Sequence, residues 1–515
     1  MSHTFRLSDK ETITTTTRIR SCLSNKGYSI LKNGAMSATD LKKLKVRLTA
    51  TAKAFPGVYS PGYPLYTEKE KVIIIPRFLG HSVFGPASKT KWNTPEPFNA
   101  SITFSASIRD NQVIPIQKTL ERLNSHGGAV MALATGKGKT ASALYIASVI
   151  KLKTIVIVHT EFLIDQWTER INKFLPEARV GRIQGKIKVI DDVDIVIATV
   201  QTVSMKAFDK DTFKTFGLGI FDETHHYAAE TFHLAVKKLQ CEYMLGLSAT
   251  PERPDTLEWV VYAFIGDIAF RSETETRKAL VHQYILNKTT FINRTFDHNG
   301  MTCTPALLTD QVTDTIRTGI IVAELYHILQ DPKRIMIGMA HRKELLISIR
   351  DGLVALGYSD IGMYMGNCKD VKYTKKNRTA EFKNALTKRL ILGTYALLKE
   401  ALDCDKLNAV AILQSDLNPA QTVGRIFRLE ETIVRDPVPL IIDFADNYSS
   451  FKKHVVSRQK YYKESGWSGW SVTYLDAERV SEGPTDFGKT RSKQGRSSKK
   501  SVIPSSNAFL DVESD

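Results

Sequence analysis

Residues 134–140 read Ala134-Thr135-Gly136-Lys137-Gly138-Lys139-Thr140, directly after an apolar run and directly before the helix-forming stretch 141–150. A strand, a glycine-rich turn and a helix in that order make a cradle for a triphosphate. The glycines let backbone N–H groups turn inward around phosphate oxygens, at the positive end of the helix. Lys139 is placed to reach the β and γ oxygens, and Thr140 to offer its hydroxyl to Mg²⁺. The first glycine of the general phosphate-loop pattern is absent, since Leu133 stands there. About 80 residues on, after the apolar run 218–221, come Asp222, Glu223, Thr224 and His225. Two adjacent carboxylates at the carboxyl edge of a strand can divide the remaining work: Asp222 to hold Mg²⁺, Glu223 to orient and deprotonate an attacking water. Taken singly, the loop is also an ordinary glycine-rich turn and the acidic pair an ordinary solvated pair; their order and spacing favour an ATP-hydrolysing site.

Such groups must be held at the ends of parallel strands. Beyond residue 95 the sequence supplies these, as apolar runs of four to seven residues separated by amphipathic helical stretches. The runs 129–133, 154–158, 195–198, 218–221 and 243–247 predict one sheet. The runs 335–339, 390–393, 409–413 and 440–444 predict a second, with the joint near 268–285. The expected organisation is α/β: a small basic α+β accessory domain with a nucleic-acid-binding role over 1–100, parallel-sheet domains over 101–270 and 271–476, and a disordered, Ser-rich basic tail over 477–515. In the first of these, Lys42, Lys43, Lys45, Arg47 and Lys53 interleave with Tyr59, Tyr63, Tyr66 and Phe78. That mixture suits held phosphates and splayed bases, and equally a solvated basic helix over a small aromatic core.

Length and charge set the outer bounds. At 515 residues the chain is too long for one compact core. A net charge of +17 favours a polyanionic partner. Sixteen basic and six acidic residues lie in the first 100, and Lys489 to Lys500 holds six basic residues and no acid, so the central part is near neutral. Cys22, Cys241, Cys303, Cys368 and Cys404 are widely spaced, against a disulfide framework or a cysteine-ligated metal. No apolar run approaches the roughly 20 residues of a membrane span, so a soluble intracellular protein without a membrane partner is expected.

From about residue 108 to 466 the chain resembles the superfamily 2 helicases of the DExH type, which are built on two tandem RecA-like domains. The resemblance implies that Gln112, in Arg109-Asp110-Asn111-Gln112, helps to read adenine. Asp-Asn stands there where the family has Pro-Tyr. His159-Thr160 through Gln166-Trp167 is similar to motif Ia, and Ala198-Thr199-Val200-Gln201-Thr202 to the next backbone contact. Ser248-Ala249-Thr250-Pro251 resembles motif III, and Gly393-Thr394-Tyr395 with Glu400-Ala401-Leu402-Asp403 resembles motif V, with Ala401 in place of glycine. Gln421-Thr422-Val423-Gly424-Arg425-Ile426-Phe427-Arg428 fits motif VI. On this resemblance His225 and Gln421 belong to the nucleotide site. Arg425 and Arg428 reach the γ-phosphate across an interdomain cleft, and Thr160, Thr199, Thr250 and Thr394 contact strand phosphates. Gln421 and the segment after it narrow the likeness to the group with the phage recombination helicase, the XPB-type helicases and the transcript-release helicases of large DNA viruses. A viral nucleic-acid motor using ATP and Mg²⁺ follows as the expectation. It would serve transcription, recombination or repair alongside transcription or replication machinery, in host cytoplasm, virion or nucleus. The alternatives are an RNA helicase and a non-unwinding double-stranded DNA translocase subunit of a larger complex.

Overall fold

The computed structural model describes residues 3–6, 12–15, 19–32, 36–51, 62–134, 136–249, 251, 253, 255–272, 278–288, 303–367, 375–401, 404, 406–416, 419–423, 426 and 436–486. Two eight-stranded sheets dominate it. The first is formed by β1 (Gly128–Ala132), β2 (Thr154–Val158), β3 (Val180–Gln184), β4 (Ile187–Val189), β5 (Ile195–Thr199), β6 (Leu218–Phe221), β7 (Tyr243–Ser248) and β8 (Ile268–Arg271). Their order is β4-β3-β5-β2-β6-β7-β1-β8, and all pairs are parallel except β3 with β4. Every residue of β1, β2, β5 and β6 is buried, which is why these strands are apolar apart from the terminal Thr154 and Thr199. Alternate side chains feed two cores. Val130, Ile155 and Ile157 point to one face, and Ala129, Met131, Val156 and Val158 to the other. Three helices cover the second face at the site: α1 (Asp110–His126), α2 (Lys139–Ile150) and α3 (Glu161–Phe174).

The second sheet repeats the plan with β9 (Leu280–Asn287), β10 (Met336–Ala340), β11 (Ile361–Tyr364), β12 (Leu390–Thr394), β13 (Ala409–Ile412), β14 (Leu440–Asp446), β15 (Ser468–Leu475) and β16 (Glu478–Asp486). Their order is β11-β12-β10-β13-β14-β9-β15-β16, antiparallel only at β15–β16. The two halves touch where Phe162 of α3 meets the ring of Tyr364 edge-on, centroids 6.4 Å apart.

Before the first sheet lies a five-stranded one, ordered Thr67–Glu68, Val72–Ile75, Gly27–Leu31, Ser21–Ser24, Lys89–Lys91, with helices Ala38–Arg47 and Arg77–Phe84. This sheet is docked firmly on its neighbour. The Arg77 guanidinium, 5% exposed, donates to the carbonyls of Glu242 (2.7 Å) and His126 (3.1 Å), Asn25 donates to the Gln240 carbonyl (2.9 Å), and the Tyr63 hydroxyl donates to the Ala228 carbonyl. Tyr63 and Leu65 are members of the same core as Val130 and Phe264, and Phe78 packs against it. Tyr63 and Phe78 are therefore committed to packing, and Lys45 is paired with Glu68 at 2.6 Å. This part of the basic–aromatic mixture is structural.

The strand pattern departs from the sequence expectation at the sheet margins. The expected joint over 268–285 contains β8 and most of β9, and β9 lies inside the second sheet between β14 and β15. β3, β4, β11, β15 and β16 were not among the expected runs, because partly exposed strands lose the continuous apolar signal. β16 also opens the stretch expected to be a disordered tail from 477: Glu478–Asp486 pairs along β15, where ladder hydrogen bonds substitute for the apolar burial it lacks. Residues 487–515 lie outside the described residues. Among the described residues no helix is long and apolar enough to cross a membrane.

Candidate functional site

The phosphate-type loop leaves β1 and enters α2. Gly136 (φ 85°) and Gly138 (φ 81°) adopt the left-handed backbone that L-residues with a Cβ rarely take. Gly138 is also closed in sterically, since a Cβ there would come within 2.1 Å of Gln112 Nε2. Gln112, 3% exposed, holds the loop from behind. Its Nε2 donates to the Gly138 carbonyl (3.2 Å) and the Ser142 hydroxyl (3.3 Å), and its Oε1 accepts from the Arg109 N–H (3.1 Å). Lys139 Nζ donates to the Leu133 carbonyl at 3.1 Å, so the ammonium is folded back over the loop. Ala134 is tied by its N–H to the Ser272 hydroxyl at 3.0 Å, while Lys137 and Thr140 sit on the half-exposed rim. Thr135 lies outside the described residues.

Sheet register brings the acidic pair to this loop. Ala132 is opposite Ser248 across β1–β7, and Phe221 opposite Gly246 across β7–β6. Two strand spacings, roughly 10 Å, thus separate the end of β1 from the end of β6. Asp222 is 8% exposed; its Oδ2 accepts from the Trp167 indole N–H (2.9 Å) and its Oδ1 from the Glu223 N–H (3.0 Å). Burial first, and Glu223 second, push its carboxyl up to about 6, against the opposing pull of Trp167, Lys139 and His159. Glu223 has φ 49°, an uncommon conformation for a residue with a Cβ, and begins the 3₁₀ turn Thr224–Ala228. Its Oε2 lies 3.5 Å from His225 Nδ1. The His226 ring stacks between His225 (4.2 Å) and His159 (4.3 Å). Burial, then the neighbouring His225, His159 and Arg253, hold it neutral with a pKa pushed down to about 2.

Sequence reading missed several of these partners. Trp167, 2% exposed, packs in the core, and its indole N–H also fixes Asp222. Arg253, paired with Asp255, donates to the His225 carbonyl. Neither contact leaves a spacing signal, since the partners lie 55 and 28 residues apart. Trp167→Phe deletes a donor to a buried carboxylate. It is expected to cost about 1–3 kcal/mol of stability, measured by urea unfolding; an unchanged midpoint would show the hydrogen bond to be dispensable.

Of the expected strand-contact residues, Thr160, Thr199 and Thr394 lie at or just past strand ends. Thr160 follows β2 and caps α3, accepting from the Leu163 N–H at 3.4 Å. Thr199 ends β5 and shares a 2.7 Å hydroxyl contact with Thr202, while Thr394 ends β12. Thr199 and Thr394 are largely buried, at 5% and 8% exposure. Thr250, Arg425 and Arg428 lie outside the described residues; Gln421 falls in the short helix Ala420–Val423, its side chain undescribed. Next to it, Thr422 donates to Asp416 Oδ2 at 3.0 Å, and both are buried.

Residues 105–253 match the family model described as the type III restriction enzyme res subunit. Among named relatives, a protein of Acanthamoeba polyphaga mimivirus that bears the name of an ATP-dependent RNA helicase is 28% identical over 464 residues, covering 87% of this chain and 86% of its own. A protein named as a helicase in Invertebrate iridescent virus 6 is 25% identical over 423 residues, covering 76% and 90%. The DNA 3'-5' translocase XPB2 of Sulfurisphaera tokodaii is 33% identical over 168 residues, covering 33% and 36%. In fold, the chain is similar to a fragment assigned as the HsdR subunit of a type I restriction enzyme from Vibrio vulnificus, with a TM-score of 0.50, 17% identity, and coverage of 74% and 71%. In the order of its motifs, in its paired parallel sheets and in these relatives, the chain is similar to superfamily 2 helicases of the large-DNA-virus type.

Proposed function

We propose that the chain hydrolyses ATP at the β1–β6 edge of its first sheet to move along and separate a duplex, either DNA or a DNA–RNA hybrid, in viral transcript release or DNA recombination and repair. The observation that carries this reading is the Asp222–Glu223 pair beside the Lys139 loop, with Asp222 buried, Glu223 half-buried and the Asp222 carboxyl pushed up to about 6. Two adjacent carboxylates facing one lysine leave the site short of positive charge. That deficit fits Mg²⁺, with Thr140 and Asp222 as its ligands. The ion supplies charge neutralisation to the phosphates when bound.

In this reading the loop residues Ala134 to Thr140 bind the phosphates through backbone N–H groups, Lys139 moves from the Leu133 carbonyl to phosphate oxygens, and Gln112 keeps the loop shaped for the nucleotide. Glu223 accepts the proton of the attacking water. His225 and Gln421 line the cleft, and Arg425 and Arg428 act on the γ-phosphate as the two halves close, so that turnover is tied to movement. Thr160, Thr199, Thr250 and Thr394 hold strand phosphates. Such contacts position nucleic acid without reading its sequence.

The test is steady-state ATPase activity with matched RNA, single-stranded DNA, duplex and forked DNA, with Lys139→Ala as the blank, followed by strand displacement on the best substrate. Stimulation by duplex or forked DNA with displacement supports the proposal. Stimulation without displacement favours a non-unwinding translocase, and preference for RNA favours the RNA helicase that the mimivirus relative's name describes. A rate indifferent to every nucleic acid refutes it.

A further inference from the structure

The acidic pair and the expected strand contacts are joined by a continuous set of packed rings. His159 follows β2 immediately, precedes Thr160, and is 8% exposed. Its carbonyl accepts from Gln201 Nε2 at 2.7 Å, so its backbone is tied to the helix Val200–Met205 that follows Thr199. That helix is itself linked to Thr199 through the 2.7 Å contact of the Thr199 and Thr202 hydroxyls. On the other side the His159 ring stacks on His226 at 4.3 Å and 34°, His226 on His225 at 4.2 Å and 39°, and His225 Nδ1 lies 3.5 Å from Glu223 Oε2. The far wall of the 3₁₀ turn is fixed. The Tyr227 hydroxyl donates to the Ile157 carbonyl at 2.7 Å, and the Tyr63 hydroxyl donates to the Ala228 carbonyl. With that wall pinned, displacement can pass through the turn along its histidine face, because close-packed rings cannot absorb a shift without moving their neighbours.

We infer that His159 and His226 are positioning residues that relay strand engagement at Thr160 and Thr199 to Glu223, so that nucleic acid accelerates hydrolysis by re-aiming the carboxylate. The inference rests on the proposed role of Glu223 and deepens it by naming the path of stimulation. Neither histidine need touch ATP or the strand. Their loss should therefore remove stimulation while sparing both ligands' binding.

The experiment compares the full chain with His226→Ala, His159→Ala, the double variant and His226→Phe. It measures ATP kcat and KM with and without a saturating single-stranded oligonucleotide, of DNA and of RNA, and oligonucleotide affinity by fluorescence anisotropy. Each alanine variant is expected to lose about tenfold or more of the stimulation, while unstimulated kcat, KM and oligonucleotide Kd stay within about twofold. The double variant should lose no more than either single, since both break one path. His226→Phe, which keeps a ring in the stack, should recover most of the effect. Full stimulation in His226→Ala, losses that multiply in the double variant, or an unstimulated rate that falls as far as the stimulated one would overturn the relay. Should an alanine variant fail to fold, His226→Phe and the remaining single decide the matter by the same split. A parent chain that no nucleic acid stimulates overturns the proposed function itself, which separates the two failures.

Discussion

Glu223→Gln is expected to retain ATP while lowering kcat by about 10²–10⁴-fold, the usual contribution of a positioned general base. The replacement is nearly isosteric. The backbone at 223 keeps its positive φ, the 223 N–H still donates to Asp222 Oδ1, and the amide still fits beside His225. What disappears is the ability to accept a proton from water. It also removes the second cause of the high Asp222 carboxyl, which is the negative charge of its neighbour. Asp222 is then expected to hold its negative charge to lower pH, and nucleotide affinity should be preserved or improved. Single-turnover hydrolysis and equilibrium binding of a fluorescent ATP analogue separate the two effects. Near-parent turnover by Glu223→Gln would remove Glu223 from its assigned role.

The second large effect is expected in the other sheet, at a fully buried ion pair. Asp443, at the heart of β14, accepts through Oδ2 from Arg458 Nε (3.0 Å), Gln283 Nε2 (3.1 Å) and the Tyr462 hydroxyl (3.1 Å). Arg458, 0% exposed, also donates from Nη1 to the Ser415 hydroxyl (3.2 Å) and the Asp416 carbonyl (2.9 Å). Asp443→Leu leaves a guanidinium buried without its counter-charge, which costs about 3–5 kcal/mol. Because Asp416 also accepts from Thr422, the loss should spread to the segment that leads into Arg425 and Arg428. Calorimetry should show an early transition. Fluorescence can assign it, since Trp467 and Trp470 belong to the second sheet and its core, whereas Trp167 and Trp259 pack on the first sheet and Trp92 lies beside Arg77. Asp443→Leu combined with Arg458→Met is expected to recover much of the loss, because removing both charges removes the desolvation penalty. A melting profile identical to that of the parent chain would show that the pair carries no net stabilising role.

Much of the fold was legible because its determinants are local. The loop Ala134–Thr140 announces itself through glycines that must take positive φ, and it does so within seven residues. The central strands announce themselves because burial on both faces favours continuous apolar runs, as in 155–158 and 390–392. Val180–Gln184 and Ile361–Tyr364, which alternate between buried and half-buried positions near the sheet edges, carry no such run. Glu478–Asp486 belongs to a sheet because a partner strand lies beside it. Its own composition gives no such indication.

By itself the sequence determined the glycine-rich loop, the adjacent carboxylates, the central strands of the two parallel sheets and the resemblance to a family, since each is written in short-range order or in the succession of motifs. Tertiary structure decided the partnerships: Trp167 with Asp222, His159 with His226, Tyr63 with Ala228, and Asp443 with Arg458 and Gln283. The physical reason is that hydrogen bonds and ring contacts act over a few ångströms of space while their partners lie tens to hundreds of residues apart. Strand order and register alone choose which side chains meet.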